Sequence, residues 1–261
     1  MQKMKYIMIA LLLVPAFAFL PSDKSFEEIQ KSFPRVSEAY ERKEELIKMR
    51  CRSKDVAEEF GNMFIRVFKQ EAQMEVWVRN SFGNYILFNS YKVYAMSGTL
   101  GPKRQQGDAQ VPEGFYHINE FNPYSNYLLS LGINYPNESD MKLSAAPKKG
   151  GSIFIHGGQV SAGCMAMSDY YIEDIYLCAV KARNQGQEKI PVHVFPFRMT
   201  TQNTYNALTK PENKAHAKLW ANLQQGYLFF EQNKRVPDVY VSAEGYYKFV
   251  DVNAAQASSG K

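Results

Sequence analysis

Apolar residues recur at helical spacing through Phe26, Ile29 and Phe33, and again through Val36, Tyr40, Leu46, Ile47 and Met49. Side chains three and four apart share one helix face, so the spacing predicts two amphipathic helices over 25–50. Pro34 divides them, because proline lacks the amide donor that a helix interior needs. Beyond Gly61 the pattern changes. Segments 63–68, 74–78 and 85–94 are rich in Val, Ile, Phe and Tyr, with Gly83-Asn84 as a turn signal, and they predict a meander of strands. The stretch 98–114 carries Gly98, Gly101, Gly107, Gly114, Pro102, Pro112 and several charges with no period, the pattern of a long functional surface loop. A short strand over 115–118 leaves it. Segment 122–147, with Pro123, Pro136, Pro147 and the aromatics Tyr124, Tyr127 and Tyr135, reads as loop again.

A compact unit follows: a buried strand over 152–156, a glycine-punctuated turn over 157–167, and a helix over 169–183 opened by Ser168 or Asp169 and stopped near Gly186. Another strand spans 190–197. Helical patterns near 201–208 and 214–232 precede a strand pair around 239–241 and 246–250. No internal repeat is present. The expected class is mostly β with peripheral helices (α+β). The chain is expected to divide into a helical lead-in (22–60), a central strand-rich unit (61–199), a helical and short-strand extension (200–252) and a disordered tail (253–261).

Composition narrows the function classes. A chain of 261 residues that is 45% hydrophobic and 22% charged is globular, which excludes collagen-like, disordered and disulfide-dense classes. A net charge of +5 with no extended basic run gives nucleic acid little support as a partner. At the start, Lys3 and Lys5 precede an apolar run over 7–14 and the A-x-A site Ala16-Phe17-Ala18, the pattern of a signal peptide over 1–18. An uncleaved anchor is the competing interpretation. It fits less well, because the run is shorter than the roughly 20 residues that span a bilayer and Pro15 interrupts it. The expected location is the periplasm or cell envelope, with no membrane anchor after cleavage.

Three cysteines are too few for a disulfide framework. Cys178, among Ile175, Leu177 and Val180, reads as a small buried apolar residue, and Cys51 as a surface thiol with no chemistry around it. Cys164 differs. It stands eight residues after His156, which ends a strand, across the turn Gly157-Gly158-Gln-Val-Ser161-Ala-Gly163. Such a turn can fold the thiol back toward the imidazole. A free thiol is only a few per cent thiolate at neutral pH, so an adjacent base is what makes it a nucleophile. Acyl transfer also develops an oxyanion, for which backbone N–H groups at Gly163 and Cys164, ahead of a helix, are the candidate donors. A zinc site is the rival chemistry and fits poorly, since His117, His193 and His216 lack ligand spacing. No metal or cofactor is expected.

These residues resemble a known family. The turn Ser161-Ala-Gly163-Cys164 after a strand ending in His156-Gly157 is similar to the active-site motif of YkuD-type L,D-transpeptidases, and more narrowly of their YafK-like branch. Further matches run in order through 64–69, 75–78, 98–103, 111–116, 122–123, 134–137 and 192–199. The resemblance implies a YkuD-like β-sandwich core and a cysteine acyltransferase acting on diaminopimelate-containing peptidoglycan stem peptides through a thioester. By position it implies Cys164 as nucleophile, His156 as base, the Gly157 carbonyl as the group orienting the imidazole, and Gly163 with Cys164 as oxyanion pocket. The usual longer motif has His where Ala162 stands and Arg or Asn where Ala166 stands, with a longer His to Cys spacing; these departures are usual in the YafK-like branch. That branch also implies two alternatives: hydrolysis of the same bond, or release of a wall-linked protein. A catalytically silent wall-binding module is a third.

Ser161 and Gly158 in the turn and Tyr135 beyond it are the candidate substrate contacts. Tyr124 and Tyr127 are further candidates for a cleft wall, with local packing as the competing interpretation. Lys103 and Arg104 read as solvated loop charge, with substrate carboxylates as the alternative.

Overall fold

The computed structural model describes residues 24–251. The expected signal peptide over 1–18 and disordered tail over 253–261 lie outside the described residues. Helix α1 (Phe26–Lys31) opens on a capping box in which Ser25 and Glu28 satisfy each other's backbone N–H groups. Helix α2 (Pro34–Ser53) begins at the dividing proline, which is tolerated at a first helical position. Its buried stripe of Val36, Ala39, Tyr40, Lys43, Ile47 and Cys51 repeats every three to four residues and packs on α4 (Asp169–Asn184). Cys51 is therefore fully buried, which corrects the expected surface thiol: position 51 continues the core stripe by one more turn. Among the described residues, no helix is long and apolar enough to cross a membrane.

The strands are β1 (Met63–Phe68), β2 (Gln73–Arg79), β3 (Tyr85–Lys92), β4 (Gly114–Asn122), β5 (Ser130–Ile133), β6 (Phe154–His156), β7 (Met165–Ala166) and β8 (Pro191–Phe195). They form one sheet in the order β3-β2-β1-β8-β4-β5-β6-β7, with β1/β8 and β6/β7 parallel and the other pairs antiparallel. The sheet curls until its ends meet: Ala95, just past β3, bridges Ala166 of β7, with Ala166 N–H donating to Ala95 O at 3.0 Å. The two halves thereby enclose one core, to which β1 and β2 contribute Met63, Ile65, Val67, Met74 and Val76 and β5–β7 contribute Leu131, Ile155 and Met165. This is an α+β fold with the sheet at its centre.

All six residues of β1 are buried, because both of its faces are covered. Met63, Ile65 and Val67 face the main core; Phe64, Arg66 and Phe68 face the helix α6 (Ala217–Asn233). The buried charge Arg66 is paired with Glu75 at 2.8 Å and Glu231 at 2.6 Å, so the C-terminal extension is tied to the sheet by ions as well as by aromatics. That extension comprises α5 (Thr201–Leu208), a 3-10 turn (Pro211–His216), α6, and the hairpin β9 (Asp238–Val241) and β10 (Tyr247–Val250). Segment 122–147, expected as loop, holds strand β5 and helix α3 (Glu138–Leu143). The sequence Ser-Leu-Gly-Ile is too short to show a period, and α3 rests on a capping box between Asn137 and Asp140 that its prolines obscured.

Candidate active site

The register of β6 against β7 builds the site. Ile155 pairs with Met165 and His156 with Ala166; Ile155 and Met165 point into the core and are fully buried. Alternation along a strand puts Phe154 and His156 on the opposite face. Cys164, one residue before β7, sits beside Phe154, whose N–H donates to the sulfur at 3.4 Å; the thiol itself points at Ser152 O, 3.7 Å away. His156 and Cys164 thus open into the same pocket of about 260 Å³, which Tyr124, Tyr127, Ser130 and Phe154 also line.

The imidazole is held from two sides. Its Nδ1 lies 2.6 Å from Gly157 O, and a carbonyl only accepts, so Nδ1 carries the hydrogen and the neutral ring keeps Nε2 as its free acceptor. Its face stacks on Tyr127, with centroids 4.6 Å apart and an interplanar angle of 28°. Gly157 allows this approach: a Cβ there would lie 2.5 Å from Tyr127 O and 2.6 Å from Asp169 Oδ1. Burial pulls the His156 pKa below the ordinary imidazole value, partly offset by the Gly157 hydrogen bond. Burial likewise pushes the Cys164 thiol up, against smaller opposing effects of the Phe154 N–H and the Lys103 ammonium. Both shifts favour the uncharged pair, a neutral thiol beside a neutral base, over a preformed thiolate and imidazolium.

The Gly163–Cys164 turn is pinned from outside. Gly163 has φ +100, a backbone conformation that suits glycine, and Gln110 O would lie 3.1 Å from any Cβ placed there. Ser161 Oγ donates to Cys164 O at 2.7 Å, and Ser97 Oγ accepts the Gly163 N–H at 2.6 Å while donating to Ala109 O at 2.7 Å. Strand β7 separates Cys164 from α4, so the thiol does not sit directly at a helix start, as the sequence suggested; Asp169 at that start instead accepts the Gly158 N–H at 2.8 Å. The 98–113 loop is ordered by two acids, the part-buried Asp108 and the buried Glu113. Asp108 accepts the N–H groups of Arg104, Gln105 and Gln110 and pairs with Lys103. Glu113 accepts from Lys69, from Gly101 N–H and from Trp220 Nε1.

The structure therefore brings together His156, Gly157, Ser161, Gly163 and Cys164. Gly158 is spent on the helix start. Tyr135 is buried elsewhere, with its hydroxyl donating to Lys149 O, and does not line the pocket. Lys103 and Arg104 are not solvated charge: Lys103 is buried on Asp108, and Arg104 pairs with the buried Asp140 at 3.2 Å. Ser97, Asp108 and Glu113 escaped sequence reasoning, since a loop without period shows no sign of which of its polar residues turn inward. Among the described residues no group of three or more His, Cys, Asp or Glu is arranged to hold a metal ion.

The site thus holds a part-buried thiol and an oriented imidazole that open into one pocket. The chain matches the YkuD L,D-transpeptidase catalytic domain over residues 62–194 and belongs to that family. It is 36% identical over 181 residues to a protein of Escherichia coli K12 named "Putative L,D-transpeptidase YafK", covering 69% of this chain and 70% of that one; the protein of the same name in strain O157:H7 gives the same figures. Among solved structures, the helical cell shape determining protein Pgp2 from Campylobacter jejuni is similar with a TM-score of 0.42 and 18% identity, covering 84% of this chain and 82% of that one. Bd1075 of Bdellovibrio bacteriovorus gives 0.39 and 21%, covering 67% of this chain and 58% of that one.

Proposed function

We propose that the chain is an exported cysteine acyltransferase acting on peptidoglycan stem peptides. Cys164 attacks the carbonyl of the third stem residue while His156 Nε2 takes the thiol proton. The tetrahedral oxyanion collapses, the C–N bond breaks, and the imidazolium returns that proton to the departing amine, leaving a thioester on sulfur. An incoming amine then attacks the thioester, passes its proton through His156 to the sulfur, and carries the acyl group away. The observation that carries the proposal is the common pocket of His156 and Cys164, with the ring tautomer set by Gly157 O so that the free nitrogen is the basic one. Family membership over 62–194 supports the substrate class.

Hydrolysis is the second reading, and one observation favours it: Tyr124 on the pocket rim is 71% exposed, so water has a path to an acyl group on Cys164. Mass spectrometry of tetrapeptide muropeptides incubated with the protein, with and without an added amine, separates the outcomes. Dimers or amine adducts mean transfer, shortened stems mean hydrolysis, and unchanged muropeptides overturn both.

A further inference from the structure

A second cavity, of about 420 Å³, lies between the sheet and the C-terminal hairpin and shares no lining residue with the pocket at Cys164. Its floor is sheet: Pro191 and His193 on one face of β8, Phe115 and His117 on the matching face of β4, which pairs with it. Its roof is apolar, made by Val236, Pro237 and Val239 leading into and along β9. His193 is the anomaly. It is 2% exposed, with the rings of Phe64 and Phe115 each 4.5 Å away, and its Nδ1 has no hydrogen-bond partner among the described residues. Burial first, and then the Arg66 charge, hold it well below the ordinary imidazole value, so the ring is neutral. An unpaired buried nitrogen carries an energetic cost that phenylalanine in the same aromatic box would avoid; a polar ring beside a cavity suits a polar guest.

Two exposed side chains of opposite charge are among the cavity's lining residues. Lys189 stands on the sheet side, close enough to His117 to lower its pKa after burial has done so, and Asp238 stands on the hairpin. Neither has an ion-pair partner among the described residues, whereas Glu138, also at the rim, is already paired with Lys142 at 2.7 Å. We propose that this cavity binds a small zwitterionic α-amino acid, with its carboxylate at Lys189, its ammonium at Asp238 and its side chain against Val236 and Val239. On the function proposed above, the free amino-acid end of a diaminopimelate in a stem peptide is such a zwitterion; that clause alone rests on the proposed function.

The test is calorimetric titration of the full chain carrying Cys164→Ala with meso-diaminopimelate and with D-alanine. Lys189→Ala and Asp238→Ala are each expected to weaken binding about tenfold or more, equivalent to about 1.4 kcal/mol. N-acetyl-D-alanine, which lacks the ammonium, is expected to bind correspondingly worse than D-alanine. His193→Phe is expected to weaken binding without lowering the melting temperature. Absence of saturable binding overturns the proposal, as does binding that survives both charge substitutions. Binding lost in Tyr127→Ala and retained in Lys189→Ala also overturns it, since that places the amino acid in the catalytic pocket. Because the variant titrated performs no chemistry, failure here leaves acyl transfer standing, and an inactive parent enzyme would leave this binding standing.

Discussion

Ser97 Oγ accepts the backbone N–H of Gly163 at 2.6 Å, and this bond couples the start of the 98–113 loop to the residue before Cys164. The same hydroxyl donates to Ala109 O, so it bridges two turns. The Gly163 N–H is therefore engaged, and the bond fixes the turn that carries Cys164. Ser97→Ala removes a bond worth about 1 kcal/mol and frees the turn, so kcat should fall severalfold with a smaller change in KM, and Ser97→Thr should restore it. Steady-state kinetics of the two variants check this; an unchanged kcat in Ser97→Ala would show that the turn holds without its tie.

Tyr127 stacks on His156, so ring orientation is shared between that contact and Gly157 O. Such contacts contribute about 0.5–1.5 kcal/mol, so Tyr127→Ala should lower kcat/KM up to about tenfold, and Tyr127→Phe, which keeps the face, should stay near the parent value.

The pH profile follows from the two directions of shift. The base works when neutral, and burial lowers the His156 pKa, so the acid limb of kcat/KM should fall below the usual imidazole range, near pH 6.5. The nucleophile is delivered from its protonated form and its pKa is raised, so the alkaline limb should lie above the ordinary thiol value of 9.0. A broad plateau across neutral pH is expected. An alkaline limb falling well below the ordinary thiol value, set by loss of an imidazolium proton, would instead indicate a preformed thiolate and imidazolium.

Lys69 and Glu113 form a buried pair at 2.9 Å that also anchors Gly101 and Val111. Glu113→Ala leaves the Lys69 ammonium buried without its counter-ion and should cost about 3–5 kcal/mol, measured as a fall in denaturation midpoint. Replacing both residues with apolar ones of similar size should recover part of that stability and none of the activity, because the loop bonds to Gly101 are still missing.

Much of this molecule was legible in its sequence because period and punctuation survive where one face is buried. The strands at 63–68 and 85–92 and the helices at 26–31 and 34–53 show this, and the His156 to Cys164 turn is marked by its own glycines. What stayed hidden depends on contacts between distant segments. Strand β7 is two residues long and exists because Ala166 pairs with both His156 and Ala95; no window around it predicts a strand. Helix α4 is buried continuously over 172–182, so the inward turn of Glu173 and Asp174 follows from Arg42 and Arg50 on α2 and not from any local rule. Tyr127 and Tyr135 look alike in sequence; only the path of β5 puts the first against the imidazole and the second against Lys149.

The most direct test of the acyl-transfer mechanism is intact-protein mass spectrometry after acid quench of the enzyme mixed with a tetrapeptide stem. The predicted result is a mass increase equal to the tripeptide acyl group, mapped to Cys164, released by neutral hydroxylamine and absent from Cys164→Ala. Product formation undiminished in a folded Cys164→Ala protein, or an acyl group carried on any other residue, would contradict it.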